Sequence, residues 1–237
     1  MIDLITSDEY ADLPDLDSGW LIPGLLAKYG ITLLAGLPSE GKSYLGLTLA
    51  HAVAHGTQFL GYVPTRGKVV ILNPDRPGSE WKLMLAEMKA KGADLAGEVY
   101  YIHPKQMPYP FYLDRGEVQR MINLAINHVQ PSLIVVDAMR RLGVFDENSS
   151  QDIEHLFSVL KPFSFNRAIL LLHHARKVKE DHAFSDPVEA IRGSTDIPAH
   201  CVGTWLLHRS SLAVDPRYRA KVLLPLRRST EGWWVRG

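Results

Sequence analysis

The sequence predicts an α/β fold: a mostly parallel central sheet flanked by helices, with antiparallel C-terminal strands. Three observations predict it. Short runs of apolar or β-branched residues at 31–34, 68–72, 133–137 and 168–173, with Lys68, Asp137 and His173 at their ends, have the length and composition of strands buried on both faces. Stretches with helical spacing of apolar residues alternate with them, which is the pattern of parallel strands joined by helical crossovers. The last third of the chain holds strand-like runs at 200–208, 220–227 and 233–236 with no helix between them, which suits an antiparallel extension. A chain of 237 residues is long enough to bury one large core.

Taken in order, residues 1–19 form an acidic arm. Asp3, Asp8, Glu9, Asp12, Asp15 and Asp17 lie there without a basic residue, and Ser7 is a candidate helix cap. Such a segment is too polar for a core element, so it is either a solvated tail or a strap on a neighbouring subunit. Residues 20–237 are expected to form one domain. Trp20, Leu21, Ile22, Leu25 and Leu26, interrupted by Pro23 and Gly24, make an apolar turn ahead of the first strand. After that strand a glycine-containing loop runs into a helix over 42–55, with Gly56 placed to cap its end.

The strand at 68–72 leads through Asn73, Pro74 and Asp75 to a helix from Ser79 to Lys91, with Ser79 as its cap. Residues 99–103 read as a short strand and 104–113, rich in Pro and aromatics, as a surface loop. A helix is expected over 115–129, another over 150–162, and a polar loop without periodicity over 175–196. Asp215 and Pro216 read as a turn between closing strands.

The chemistry is concentrated where the first strand meets the first helix. Gly36, four spacers, then Gly41, Lys42 and Ser43 give G-x-x-x-x-G-K-[ST] in a strand–loop–helix context, the arrangement of a phosphate-binding loop. Glycine lets the backbone N–H groups wrap a polyphosphate closely, and the helix directs its positive end at the same charge. The nucleotide-binding candidates are Gly36, Pro38, Ser39, Glu40, Gly41, Lys42, Ser43 and Tyr44, with ATP as the expected ligand. Lys42 would reach the β- and γ-phosphates, and Ser43 would take a Mg²⁺ position. Asp137, closing an apolar strand, is the second metal-facing candidate.

Hydrolysis further needs a carboxylate to orient or deprotonate water. Position 138 is Ala, so the leading candidate is Asp75, with Glu80 and Glu40 as alternatives. His173 and His174 end the fourth strand, where an imidazole could sense the γ-phosphate or stay buried and satisfied. Arg140, Arg141, Arg176, Lys177 and Lys179 follow the third and fourth strands and are candidates for a nucleic-acid backbone or for ordinary solvated loops. Arg227, beside Arg228, and Lys221 are candidates for a cation supplied to a neighbour's ATP.

Composition narrows the setting. Basic and acidic residues balance at 26 each, so overall charge neither favours nor excludes nucleic acid. A lone cysteine, Cys201, excludes an internal disulfide framework, and neither a secretory pattern nor a membrane-length apolar run is present. A cytoplasmic protein without a membrane segment is expected.

These motifs resemble the AAA_25 group of RecA-like ATPases, and among them the RepA-type plasmid replicative helicases. The resemblance is carried by Trp20 to Leu26 ahead of the phosphate loop, Leu133 to Arg141, Asp146 to Ser150, Leu170 to Lys177, and Arg192 to Asp196. It implies a RecA-like P-loop core, ATP hydrolysis at subunit interfaces of a ring-shaped homohexamer, and single-stranded DNA in a central channel. The loops after Asp137 and after His174 would touch the DNA, with Arg192 added to the DNA-facing set, and replication or recombination proteins would be partners. The family usually places Glu where this chain has Asp75, so slower hydrolysis or another base is expected. The residues leave two functions open: a DNA helicase, or a RecA-like DNA-binding or regulatory ATPase that does not unwind. A phosphate-loop kinase would need an arginine-rich lid, which the 175–196 loop does not provide.

Overall fold

The structure, a computed structural model, describes residues 4–11, 19–74, 79–102, 110–176, 186–217 and 219–237. Its centre is a nine-stranded sheet in the order β11-β10-β9-β8-β3-β7-β6-β4-β5. The parallel strands are β3 (Gly30–Gly36), β4 (Val69–Leu72), β5 (Val99–Tyr101), β6 (Leu133–Val136), β7 (Ala168–His174) and β8 (Gly203–His208). The antiparallel extension is β9 (Ser211–Pro216), β10 (Val222–Arg228) and β11 (Trp234–Arg236). β1 (Trp20–Ile22) and β2 (Leu26–Ala27) form a small separate hairpin from the apolar turn before β3.

Alternation of side chains along the strands creates two cores. One face contributes Leu34, Val69, Ile71, Leu133, Val135, Leu170 and Leu172 and carries helices α2 (Lys42–His55) and α3 (Ser79–Ala90). The other contributes Ile31, Leu33, Val70, Ile134, Val136, Ile169 and Leu171 and carries α4 (Gly116–Val129) and α5 (Ser150–Leu160). α2 is buried on nearly every side, pressed between the sheet and the β10–β11 hairpin. Its close approach to β6 needs Gly46, where an added Cβ would lie 3.3 Å from Val135.

Three expectations are corrected in detail. Asp215 and Pro216 do not form a turn. They end β9, opposite Thr204 and Gly203 of β8, and the hairpin turns instead at Arg209 and Ser210, both at positive φ. Pro216 is tolerated because the pairing of β9 with β10 ends at Val214, so here β9 has a neighbour only on the β8 side and behaves as an edge. In the arm, α1 (Ser7–Ala11) is capped by Thr6 rather than Ser7. The Thr6 N–H donates to Glu9 Oε2 at 2.7 Å and the Glu9 N–H to Thr6 Oγ1 at 3.2 Å, a reciprocal capping box. The loop over 175–196 is not featureless among its described residues. Ala175 bridges Ile191, and a one-turn helix, α6, covers Asp196–Ala199. No helix among the described residues is long and apolar enough to cross a membrane.

Candidate nucleotide site

β3 ends at Gly36, flanked by His174 of β7 and Leu207 of β8. This is the carboxyl edge of the parallel strands, where open α/β sheets bind ligands. The chain then turns through Ser39 (φ 65°) and Gly41 (φ 93°) into α2. The Lys42 side chain is 9% exposed and folds back on the loop, donating to the Gly36 carbonyl at 2.9 Å and the Leu37 carbonyl at 2.8 Å. Burial lowers its pKa, against the pull of the Asp137 and Glu40 carboxylates. The Ser43 hydroxyl donates to Asp137 Oδ2 at 2.6 Å across 94 residues of sequence.

A hydroxyl and a carboxylate side by side are the hard oxygen donors that Mg²⁺ takes together with water and phosphate. A buried ammonium at a helix N-terminus suits a polyphosphate. The residues present therefore fit a Mg²⁺–nucleoside triphosphate: Lys42 and the loop would hold phosphate, and Ser43 and Asp137 the ion.

The site opens into a cleft of about 470 Å³. Along its floor the Asn73 amide nitrogen donates to the Asp137 carbonyl at 3.1 Å, and its oxygen accepts from Trp81 Nε1 at 2.6 Å, an orientation fixed by these partners. The outer part lies between α3 and the C-terminal hairpin. There the Tyr44 hydroxyl donates to Glu87 Oε2 at 3.1 Å, and the Arg228 guanidinium sits 4.1 Å from both the Tyr44 and Trp234 ring centres. Trp234 Nε1 donates to the Gly41 carbonyl at 3.1 Å. Glycine is favoured at position 41 by its left-handed φ of 93°, and a Cβ there would also displace the Arg228 guanidinium, 2.5 Å away.

The fold brings together most of the sequence-predicted residues: Ser39, Gly41, Lys42, Ser43, Tyr44 and Asp137 line one cleft. The histidine pair is divided by strand alternation. His174 shares the face of Leu170 and Leu172 toward α2. His173, 1% exposed, lies on the other face and meets the Arg192 carbonyl through Nε2 at 2.8 Å. Burial holds the His173 pKa below its ordinary value. Glu40 Oε1 lies 3.0 Å from His208 Nδ1 at the end of β8, so the loop is tied to the strand next to β3.

The basic candidates are dispersed. Arg140 donates to the Phe145 carbonyl at 2.9 Å and Arg176 to the Ile191 carbonyl at 3.0 Å, while Arg141 is exposed at the end of the turn Met139–Arg141. Arg192 pairs with the buried Glu147 at 2.5 Å, and Lys221 pairs with Asp215 at 3.1 Å and Asp186 at 3.4 Å. Arg227 is exposed on the face of β10 opposite Leu224 and Leu226, whereas its neighbour Arg228 lines the chain's own cleft. Asp75, Lys177, Lys179 and the Glu80 side chain lie outside what the structure describes. Trp81, Glu87, His208 and Trp234 escaped sequence reasoning because no local motif carries them. Only tertiary contact places them beside the loop.

Comparison with known proteins agrees with this geometry. The family AAA_25, described as an AAA domain, matches residues 7–180. The KaiC-like protein PH0186 from the hyperthermophilic archaeon Pyrococcus horikoshii OT3 superposes with a TM-score of 0.57 at 14% identity, over 93% of this chain and 97% of that one. At that identity the likeness concerns the fold, which is the RecA-like arrangement of a large, mostly parallel sheet between helices. No curated protein matches the sequence.

Proposed function

Because the chain belongs to the AAA_25 family of AAA domains, a family of RecA-like ATPases, we propose that it is an ATP-hydrolysing motor. In this reading it is a ring-forming replicative DNA helicase of the plasmid, phage or mobile-element type. The observation that carries the ATPase part is the 2.6 Å contact of Ser43 with Asp137 beside the buried Lys42 ammonium. Those are the parts a phosphoryl-transfer site needs for charge and metal. The reading as a motor is supported by where the loops leave the sheet. Arg140 and Arg141 follow β6 and Arg176 follows β7, adjacent strands ending on the nucleotide edge. Nucleotide state and DNA contact would thereby be coupled over a short distance, with Arg227 or another cation reaching the next subunit of a homohexamer.

A second reading has its own support. Arg140 and Arg192 are already engaged within the chain, which suits a RecA-like ATPase that binds DNA or a replication or recombination partner without unwinding. Three measurements made together separate the two. For the helicase, ATP turnover rises on adding single-stranded DNA, the assembly has the mass of a closed ring, and a forked duplex is opened. Stimulated turnover with no strand separation selects the second reading, and turnover indifferent to DNA in a monomer rejects the helicase and the DNA-binding form of the second reading.

A further inference from the structure

The phosphate loop carries an acid where its chemistry calls for none. A loop that binds polyphosphate offers N–H groups and an ammonium to negative charge, and a carboxylate among them repels the ligand or competes with it. Glu40 stands in that loop, one residue before Gly41, which caps α2 without any side-chain hydrogen bond to the helix N–H groups. Resting on the assignment of a nucleoside triphosphate to this loop, we infer that His208 is a positioning residue. It holds the Glu40 carboxylate out of the phosphate site and so keeps that site open to a polyanion.

Ser39, Gly41, Lys42, Ser43 and Tyr44 line the cleft, whereas Glu40 between them does not. Its carboxylate is turned to β8, where Oε1 meets His208 Nδ1 at 3.0 Å, the two side chains being 17% and 15% exposed. An ionised carboxylate only accepts, so Nδ1 carries the proton. The second oxygen, Oε2, is buried with no hydrogen-bond partner. A buried carboxylate satisfied on one side only is costly, so the imidazole holds the group in a place it would otherwise leave. Its destination is close by. Glu40 already acts electrostatically on the Lys42 ammonium, and uncapped helix N–H groups attract a carboxylate as they attract phosphate. Released from His208, Glu40 would occupy the anion site as an internal competitor. His208 directly follows Leu207, the register partner of Gly36 at the end of β3, so the restraint comes from the strand beside the loop.

A hydrogen bond to a charged group is worth about tenfold or more in an equilibrium. The test measures by calorimetry the binding of Mg²⁺ with tripolyphosphate, and of Mg²⁺ with a non-hydrolysable ATP analogue, to the full chain and four variants. His208→Ala should weaken both ligands equally, by about tenfold, because the competitor acts on the phosphates they share. His208→Asn, whose amide nitrogen can stand where Nδ1 does, should stay within about threefold of wild type. Glu40→Gln should bind at least as tightly as wild type, and adding His208→Ala to it should change affinity by less than about twofold.

Unchanged affinity in His208→Ala overturns the inference, as does a loss that persists in the Glu40→Gln background, since His208 would then act without the carboxylate. His208→Asn as weak as His208→Ala also overturns it. So does weaker binding in Glu40→Gln alone, which would make the carboxylate a contributor to binding; that result needs no change at His208 and stands even where His208→Ala fails to fold. In each of these cases binding by the wild-type protein leaves the phosphate-loop reading in place. Failure of the wild-type protein to bind either ligand removes that reading and this inference together.

Discussion

His51 offers the sharpest quantitative test of the packing around α2. It lies about two and a half turns after Lys42 on the same helix, 6% exposed, with neither ring nitrogen hydrogen-bonded. Its ring packs against Trp233 at 5.1 Å and near His55 at 5.9 Å. Burial, with the neighbouring His55, lowers its pKa from 6.5 to about 4, against a weaker opposing pull from Asp94. The sign follows directly. As pH falls below 6.5 the unfolded chain takes up a proton that the folded chain refuses until about 4, so stability drops through that window and is fully present above it. At about 1.4 kcal/mol per pH unit the gap corresponds to roughly 3 kcal/mol.

Replacing the ring by an apolar group of similar size removes both the penalty and the orphaned nitrogens. His51→Leu should therefore gain about 1–2 kcal/mol at pH 7.5, and its advantage over wild type should widen by roughly 3 kcal/mol between pH 7 and pH 4. Urea unfolding followed by circular dichroism at several pH values measures both. A wild-type minus variant difference that stays flat with pH would refute the burial argument.

Other residues make separate predictions. Gly41→Ala places a Cβ at φ 93° and 2.5 Å from Arg228; the left-handed strain alone is about 1–2 kcal/mol, and differential scanning calorimetry should show a melting point lowered by roughly 2–8 °C. Asp75→Asn should abolish ATP turnover while leaving ATP affinity near normal, and full turnover would move the water-orienting role to Glu80 or Glu40. Replacing Arg176, Lys177 and Lys179 together by Ala should flatten the dependence of DNA affinity on salt by up to about three ion equivalents, whereas an unchanged slope would return them to ordinary surface.

The parallel half of the sheet was legible because β3, β4, β6 and β7 are buried on both faces and read as apolar runs, broken only by Thr32 in β3 and by the histidines that end β7. The phosphate loop was legible for a different reason: its glycines, lysine and serine are contiguous, so their geometry follows from local structure. β9 was obscured by Asp215–Pro216, a strong turn pair that tertiary pairing with β8 overrides. The true turn at Arg209–Ser210 lacks the Gly or Asn that positive φ usually brings. The outer wall of the cleft was hidden for the same reason at longer range. Arg228 and Trp234 reach Tyr44 and Gly41 only because β10 and β11 fold back across α2, and no spacing along the chain encodes that return. The histidines show an intermediate case: their position at a strand tip was readable, but only pairing of β7 with β3 decides which of the two shares the face of α2.

The most direct measurement is a crystal structure grown with a non-hydrolysable ATP analogue and Mg²⁺. The account predicts β- and γ-phosphates cradled by the backbone between Gly36 and Ser43, the Lys42 ammonium moved from the Gly36 and Leu37 carbonyls onto phosphate, and the ion held by Ser43 with Asp137 beside it. A loop that stays closed on Lys42, with the analogue elsewhere or nowhere, would contradict it.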